Sequence, residues 1–229
     1  MYHLGKYKET DKMSDLICEN YPMLLVMSRF GIALGFGEQT IGEVCRNNGV
    51  DTNTFLTVVN MLISDGKPDK SALAVSVQSL ISYLRKSHVY FLDFRLPAIR
   101  RSLQEAIVFD RNDVELAIMR YYDEYVDEVR KHMQYEEDVV FPYVSALLDG
   151  VHRDYRIETF RKQHDQIDAK LSELKDIIIK YVPARSSNEL NSVLYDIFTC
   201  ASDLESHNKV EDDLFIPVIT ALELKHRNQ

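Results

Sequence analysis

The residues best suited to chemistry in this sequence form two short repeats, each a histidine followed four positions later by a glutamate. The first repeat is His132 with Glu136 and the second is His207 with Glu211, and a proline follows each glutamate by six residues. If both stretches are helical, this spacing places the imidazole and the carboxylate on one face of their helix. Imidazole and carboxylate groups together are a donor pair that suits metal ions.

Four long segments with helical periodicity would position these residues. They cover approximately residues 72–107, 113–148, 153–181 and 187–225. Apolar residues recur in each segment every three or four positions, and each apolar stripe includes one histidine: His88, His132, His164 and His207. Pro97 lies inside the first segment and is expected to bend it or to cost a hydrogen bond. Long helices with short connections predict an all-α, up-down-up-down four-helix bundle.

The four histidines are expected at nearly one level of this bundle. His88 and His132 are each 22 residues from position 110, which lies in the turn between the first two segments. His164 and His207 are likewise equidistant from the turn between the last two segments. Because an α-helix rises 1.5 Å per residue, equal counts from a turn give equal heights. Unrelated core histidines would not be expected to show this symmetry.

Four imidazoles and two carboxylates would therefore meet in the core. Two buried carboxylates without a counter-charge would cost several kcal/mol each. No Lys or Arg lies in the apolar stripes at that level, and the nearest candidate, Arg95, lies about two turns beyond His88. Six nitrogen and oxygen ligands suit two metal ions bridged by carboxylates, whereas a structural zinc site would take four. A ligand set of imidazoles and carboxylates favours iron. Each iron would keep one coordination position open, which could hold an oxo bridge or a small ligand such as O2 or NO, or could allow the iron to be released. We therefore predict two Fe ions in an oxo- and carboxylate-bridged centre, held by His88, His132, Glu136, His164, His207 and Glu211.

The residues before the bundle form a separate small helical region. Short helical pieces from about Met13 to Ile63 are broken by turn signals, with helix starts expected at Thr40 and Asp51. Residues 65–70 form the natural linker. We predict two domains, a small helical N-terminal domain at 1–66 and the bundle with the metal centre at 71–229.

The composition excludes several classes of function. A net charge of -9 without a basic stripe argues against nucleic-acid binding. The most apolar stretch, 22–36, is too short to span a bilayer and contains Arg29, so no membrane association is expected. Three scattered cysteines without a CxxC pair indicate free thiols, and we expect a cytoplasmic protein. The sequence leaves a monomer or a homodimer open.

The paired motifs resemble those of the hemerythrin-like (HHE) cation-binding family, whose mark is two His-x-x-x-Glu pairs on a four-helix bundle. The chain is more similar still to the di-iron repair-of-iron-centres proteins, which join such a bundle to a small N-terminal helical domain. The resemblance covers about 75–225 and implies that Glu136 and Glu211 bridge the two irons. Oxygen-carrying hemerythrins use five histidines, so the four predicted here argue against reversible O2 carriage.

One turn departs from the pattern of the repair proteins. Relatives carry Gly-Ile-x-x-Cys-Cys-Gly-Gly, but residues 31–38 of this chain read Gly-Ile-Ala-Leu-Gly-Phe-Gly-Glu. Gly35 and Phe36 replace the two cysteines. Thiol chemistry at this turn is therefore not expected here.

The resemblance implies a protein of the nitrosative and oxidative stress response that supports repair of damaged iron–sulfur centres. It would act by iron donation or by NO or O2 chemistry, with damaged iron–sulfur proteins as partners. The alternative is a non-catalytic sensor or store for O2, NO or iron, and the sequence does not decide whether the protein is an enzyme. A purely structural bundle is the third interpretation.

Overall fold

The computed structural model describes residues 5–67, 74–107, 113–151, 154–162, 165–182 and 188–227. Within these ranges the regular structure is helical, and extended pairing is limited to one isolated bridge between Lys12 and Thr40. The all-α prediction is confirmed. The α-helices are α1 (Met13–Glu19), α2 (Met23–Arg29), α3 (Ile41–Asn47), α4 (Thr52–Ser64), α5 (Val77–Val89), α6 (Leu96–Ile107), α7 (Asp113–Tyr135), α8 (Phe141–Leu148), α9 (Asp165–Tyr181), α10 (Asn188–Val210) and α11 (Ile216–Arg227). Among the described residues, none of the helices combines the length and apolar character needed to cross a bilayer.

The contacts within the chain define two compact units. One runs from His88 to Glu205, and the other combines the residues up to Ser87 with those from Ser206 onward. The boundaries fall within helices α5 and α10, each of which is continuous across its boundary.

The unit from His88 to Glu205 has a core built by four helices. Apolar side chains of α6, α7, α9 and α10 pack together, with representatives Leu103, Tyr122, Leu174 and Ile197 almost fully buried. The Tyr122 hydroxyl donates a hydrogen bond of 2.8 Å to the carbonyl of Leu96, so this polar group is satisfied inside the core. These helices and their apolar faces agree with the predicted stripes.

The third predicted segment differs from the continuous helix expected at 153–181. A 3-10 helix covers Ile157–Lys162, and the α-helix begins only at Asp165. The prediction of one continuous helix was therefore wrong here.

In the other unit, the N-terminal helices pack on the first part of α5. The ring of Phe30 lies 5.3 Å from that of Phe55 on α4 and 5.1 Å from that of Tyr83 on α5. The predicted helix starts are confirmed: Thr40 forms a capping box at α3, and Asp51 accepts a hydrogen bond at the start of α4.

Two ion pairs connect the residues that follow α4 with the C-terminal part of the same unit. Asp65 pairs with Lys209, and the ammonium of Lys67 lies 3.6 Å from the carboxylate of Asp213. Residues 68–73 lie outside the described ranges. The predicted division into domains at 1–66 and 71–229 therefore stays a prediction.

Candidate metal centre

Three helical segments contain the same backbone irregularity, a π-helical turn, next to predicted ligands. Short π-helical turns cover Tyr90–Arg95, Glu136–Val140 and Glu211–Phe215. In each turn the residue just before a proline donates its N–H to the carbonyl five residues back, which belongs to Phe91, Glu136 or Glu211.

Proline explains the position of these turns. Its nitrogen has no hydrogen to donate, and its ring crowds the carbonyl four residues earlier. The helix therefore closes a wider i to i−5 bond immediately before the proline and continues as an α-helix after it. Two of the three turns begin at a predicted ligand, Glu136 or Glu211. The proline six residues after each glutamate therefore places the π turn directly at the ligand.

The first predicted pair forms a compact constellation with His88. Nε2 of His132 lies 2.9 Å from one carboxylate oxygen of Glu136, and Nε2 of His88 lies 3.1 Å from the other. All three side chains are buried, and that of Glu136 is only 1% exposed. The carboxylate of Glu136 thus lies between two imidazoles that come from different helices.

Two phenylalanines and a second glutamate orient these imidazoles. The ring of His88 stacks on Phe141 at 5.7 Å, and the ring of His132 stacks on Phe160 at 5.6 Å, both nearly parallel. Nδ1 of His88 lies 2.9 Å from a carboxylate oxygen of Glu137. Because an ionised carboxylate only accepts hydrogen bonds, Nδ1 carries the proton and Nε2 of His88 keeps its lone pair for a metal ion.

The second predicted pair shows the same internal geometry. Nε2 of His207 lies 3.1 Å from a carboxylate oxygen of Glu211, and neither side chain has any exposed surface. His207 lies in the last turn of α10, and Glu211 opens the π turn that follows. The i, i+4 spacing places both donors on one face of the helix, as the sequence predicted.

Each of the two compact units buries its own set of ligand atoms. In the unit from His88 to Glu205, the set comprises His88, His132 and Glu136, with a contact of 2.9 Å between His132 and Glu136. In the other unit, the set comprises His207 and Glu211. His164 lies outside the described residues, so its predicted role as a ligand stays a prediction.

The surroundings of Glu136 fit a cation. Among the described residues, neither carboxylate oxygen of Glu136 accepts a hydrogen bond, although two imidazole nitrogens lie at 2.9 and 3.1 Å. These nitrogen and oxygen atoms lie close together but are not aligned for hydrogen bonding. Metal ligands that point at a shared ion have this arrangement. A buried carboxylate without such compensation would be strongly destabilising. Arg95, the candidate counter-charge from the sequence, pairs instead with Asp196 at 3.0 Å.

Sequence reasoning did not identify the groups around the donors. Glu137 is the residue after Glu136 and would lie about 100° away from it around an α-helix, and its partner His88 is 49 positions away. The stacking of Phe141 and Phe160 on the imidazoles has no local sequence signal. Pro97 does carry a sequence signal for the first π turn, because it follows Phe91 by the same six residues that separate Pro142 from Glu136.

An all-α chain that buries two His-x-x-x-Glu pairs in this way is a helical cation-binding protein. Residues 79–219, more than half of the chain, match the hemerythrin HHE cation-binding domain. The chain therefore belongs to this family and carries a hemerythrin-like cation-binding domain with a buried His/Glu cluster. No curated protein matches the sequence at a significant level.

Proposed function

We propose that this chain is a di-iron protein of the repair-of-iron-centres type, which supports the repair of damaged iron–sulfur centres during nitrosative and oxidative stress. The proposed ligands are His88, His132, Glu136, His164, His207 and Glu211, with an oxo bridge and the two carboxylates between the irons. The proposed setting is the cytoplasm, with NO or O2 and damaged iron–sulfur proteins as partners.

The observation that carries this proposal is the environment of Glu136. Its carboxylate is completely buried, and each of its oxygens faces a different imidazole without a hydrogen bond among the described residues. A carboxylate with both oxygens engaged in this way is suited to bridging two ions. Mixed imidazole and carboxylate donors favour iron over calcium or magnesium, which prefer oxygen ligands alone.

The residues of the chain hold, orient and shield the proposed centre. Glu137 accepts a hydrogen bond from the Nδ1–H of His88 and so leaves Nε2 free to bind a metal ion, and Phe141 and Phe160 cover the imidazole faces. Burial excludes bulk water and strengthens the electrostatic interactions of the carboxylates. Bound iron would supply redox chemistry, affinity for NO and O2, and a source of iron for a damaged cluster.

Reactivation of a damaged enzyme tests the repair role. The iron-loaded full chain would be mixed with a dehydratase whose iron–sulfur cluster has been damaged by NO, and recovery of dehydratase activity would be followed. We expect recovery with the wild type and with His226→Ala, which removes an imidazole from the last turn of α11. We expect none with the double variant His132→Ala/His207→Ala. Equal recovery with the double variant would contradict the proposal.

A second candidate function, a sensor or store without turnover, is favoured by the turn at Gly35. Gly35 has a φ of 98°, a backbone region that residues with a Cβ atom rarely adopt. This turn is therefore shaped for glycine where the repair proteins carry cysteine. Measuring NO consumption by the iron-loaded chain separates the two functions, because a store takes up NO once, whereas repeated turnover per iron would exclude the storage role.

A further inference from the structure

A cleft between α2, the turn after α3 and α5 has a positively charged lining. Its volume is about 280 Å³, and all ten residues that line it belong to the unit containing the N-terminal helices. Two of the ten are the cations Arg29 and Lys86, and none of them is acidic. The whole chain carries 36 acidic against 27 basic residues, so this lining has the opposite sign to the protein as a whole.

Arg29 contributes a charge that is held inside the protein. Its side chain is only 3% exposed, and its guanidinium carbon lies 6.0 Å from the centre of the Tyr83 ring. A guanidinium stays protonated at any pH at which the protein is folded. An anion in the cleft would therefore meet a permanent positive charge. The low dielectric constant of the protein interior around this charge strengthens the attraction.

Lys86 approaches the cleft across the backbone of Gly31. A Cβ atom at Gly31 would lie 2.7 Å from the ammonium nitrogen of Lys86, which is closer than such atoms come in proteins. Gly31 also has a φ of 84°, so glycine is favoured there for its backbone conformation. The glycine thus allows the second cation to lie against the main chain at the cleft.

We infer that this cleft is a binding site for a small oxyanion, a phosphate or carboxylate group carried by a molecule of few heavy atoms. Arg29 and Lys86 supply the charge, and Ser79 and Ser82 supply hydroxyl donors. Phe30 and Tyr83 form an apolar wall for the uncharged part of the ligand. The volume lies just below the range of about 300–1,000 Å³ that is usual for ligand sites, which favours a small ligand.

Calorimetric titration of the full chain tests this site. Sodium phosphate and sodium acetate would be titrated separately, with ionic strength held constant by sodium chloride. Lys86→Met removes one charge from the cleft at an exposed position, and Arg85→Met removes the neighbouring charge on the same helix without altering the lining. The double variant His132→Ala/His207→Ala separates binding in the cleft from binding at the metal centre.

We expect one saturable binding event in the wild type, in Arg85→Met and in the histidine double variant. In Lys86→Met the affinity should fall by about tenfold, the effect of losing one charge-assisted hydrogen bond. A response to one anion alone would assign the phosphate or the carboxylate class. The inference is overturned if neither anion binds saturably, if Lys86→Met binds as tightly as the wild type, or if binding is lost in the histidine double variant.

Discussion

Replacing Glu137 with glutamine should weaken metal binding although Glu137 is not a predicted ligand. Its carboxylate oxygen lies 2.9 Å from Nδ1 of His88, the geometry of a charge-assisted hydrogen bond. Carboxylates that orient a metal-binding histidine contribute about 10–100-fold to metal affinity. Because the side chain is 31% exposed, solvent screens part of this effect. We therefore expect a loss of about tenfold, equivalent to about 1.4 kcal/mol.

Asp138→Asn provides the matched control for this substitution. Asp138 is the next residue along the chain, is exposed, and accepts a hydrogen bond of 2.9 Å from Gln134. Both variants remove one negative charge, so they share any general electrostatic effect on a nearby cation. Anaerobic competition with a chromophoric iron chelator would measure the affinity of each. Equal affinities in Glu137→Gln and Asp138→Asn would refute the reasoning.

Two further predictions concern the backbone and pH. Pro142→Ala restores an N–H that can bond to the carbonyl of Asp138, so the π turn at 136–140 should become α-helical. This change should rotate Phe141 away from His88 and lower the affinity for iron by more than about tenfold. Chelator competition and circular dichroism would check this, and unchanged affinity would contradict it. Hydrogen bonds from the backbone and side chain of Thr40 hold the pKa of Glu43 below its ordinary value. The stabilisation from Glu43 is therefore present above its unfolded pKa and is lost as pH falls through the lowered folded pKa. Urea unfolding should show a difference between wild type and Glu43→Gln at neutral pH that disappears in acid, and a difference independent of pH would argue against this origin.

Periodicity in the sequence predicted the parts of the fold that depend on local patterns. The stripes of α6, α7, α9 and α10 and the caps at Thr40 and Asp51 follow from residue spacing and short-range hydrogen bonds. The i, i+4 pairs also follow directly, because four residues bring the two donors onto one helix face.

The segment before α9 shows where periodicity fails. Ile157 and Phe160 are both fully buried and lie three residues apart, a spacing that suits a 3-10 helix as well as an α-helix. The pattern of apolar residues could not distinguish the two. The difference depends on hydrogen bonds that spacing does not encode.

The surroundings of the donors also required the structure. A residue next to a ligand is about 100° further round an α-helix, so α-helical spacing alone places Glu137 on a different face from Glu136. The π turn winds less per residue, and the partner of Glu137 is a histidine on another helix. Contacts between distant segments, such as Phe160 with His132, leave no trace in local spacing.

Iron analysis of the anaerobically purified full chain, together with its absorption spectrum, tests the central claim most directly. The account predicts two irons per chain and an absorption band from an oxo bridge. It also predicts that His132→Ala/His207→Ala loses the metal while its helical circular dichroism is retained. One zinc per chain, or full metal content in the double variant, would contradict it.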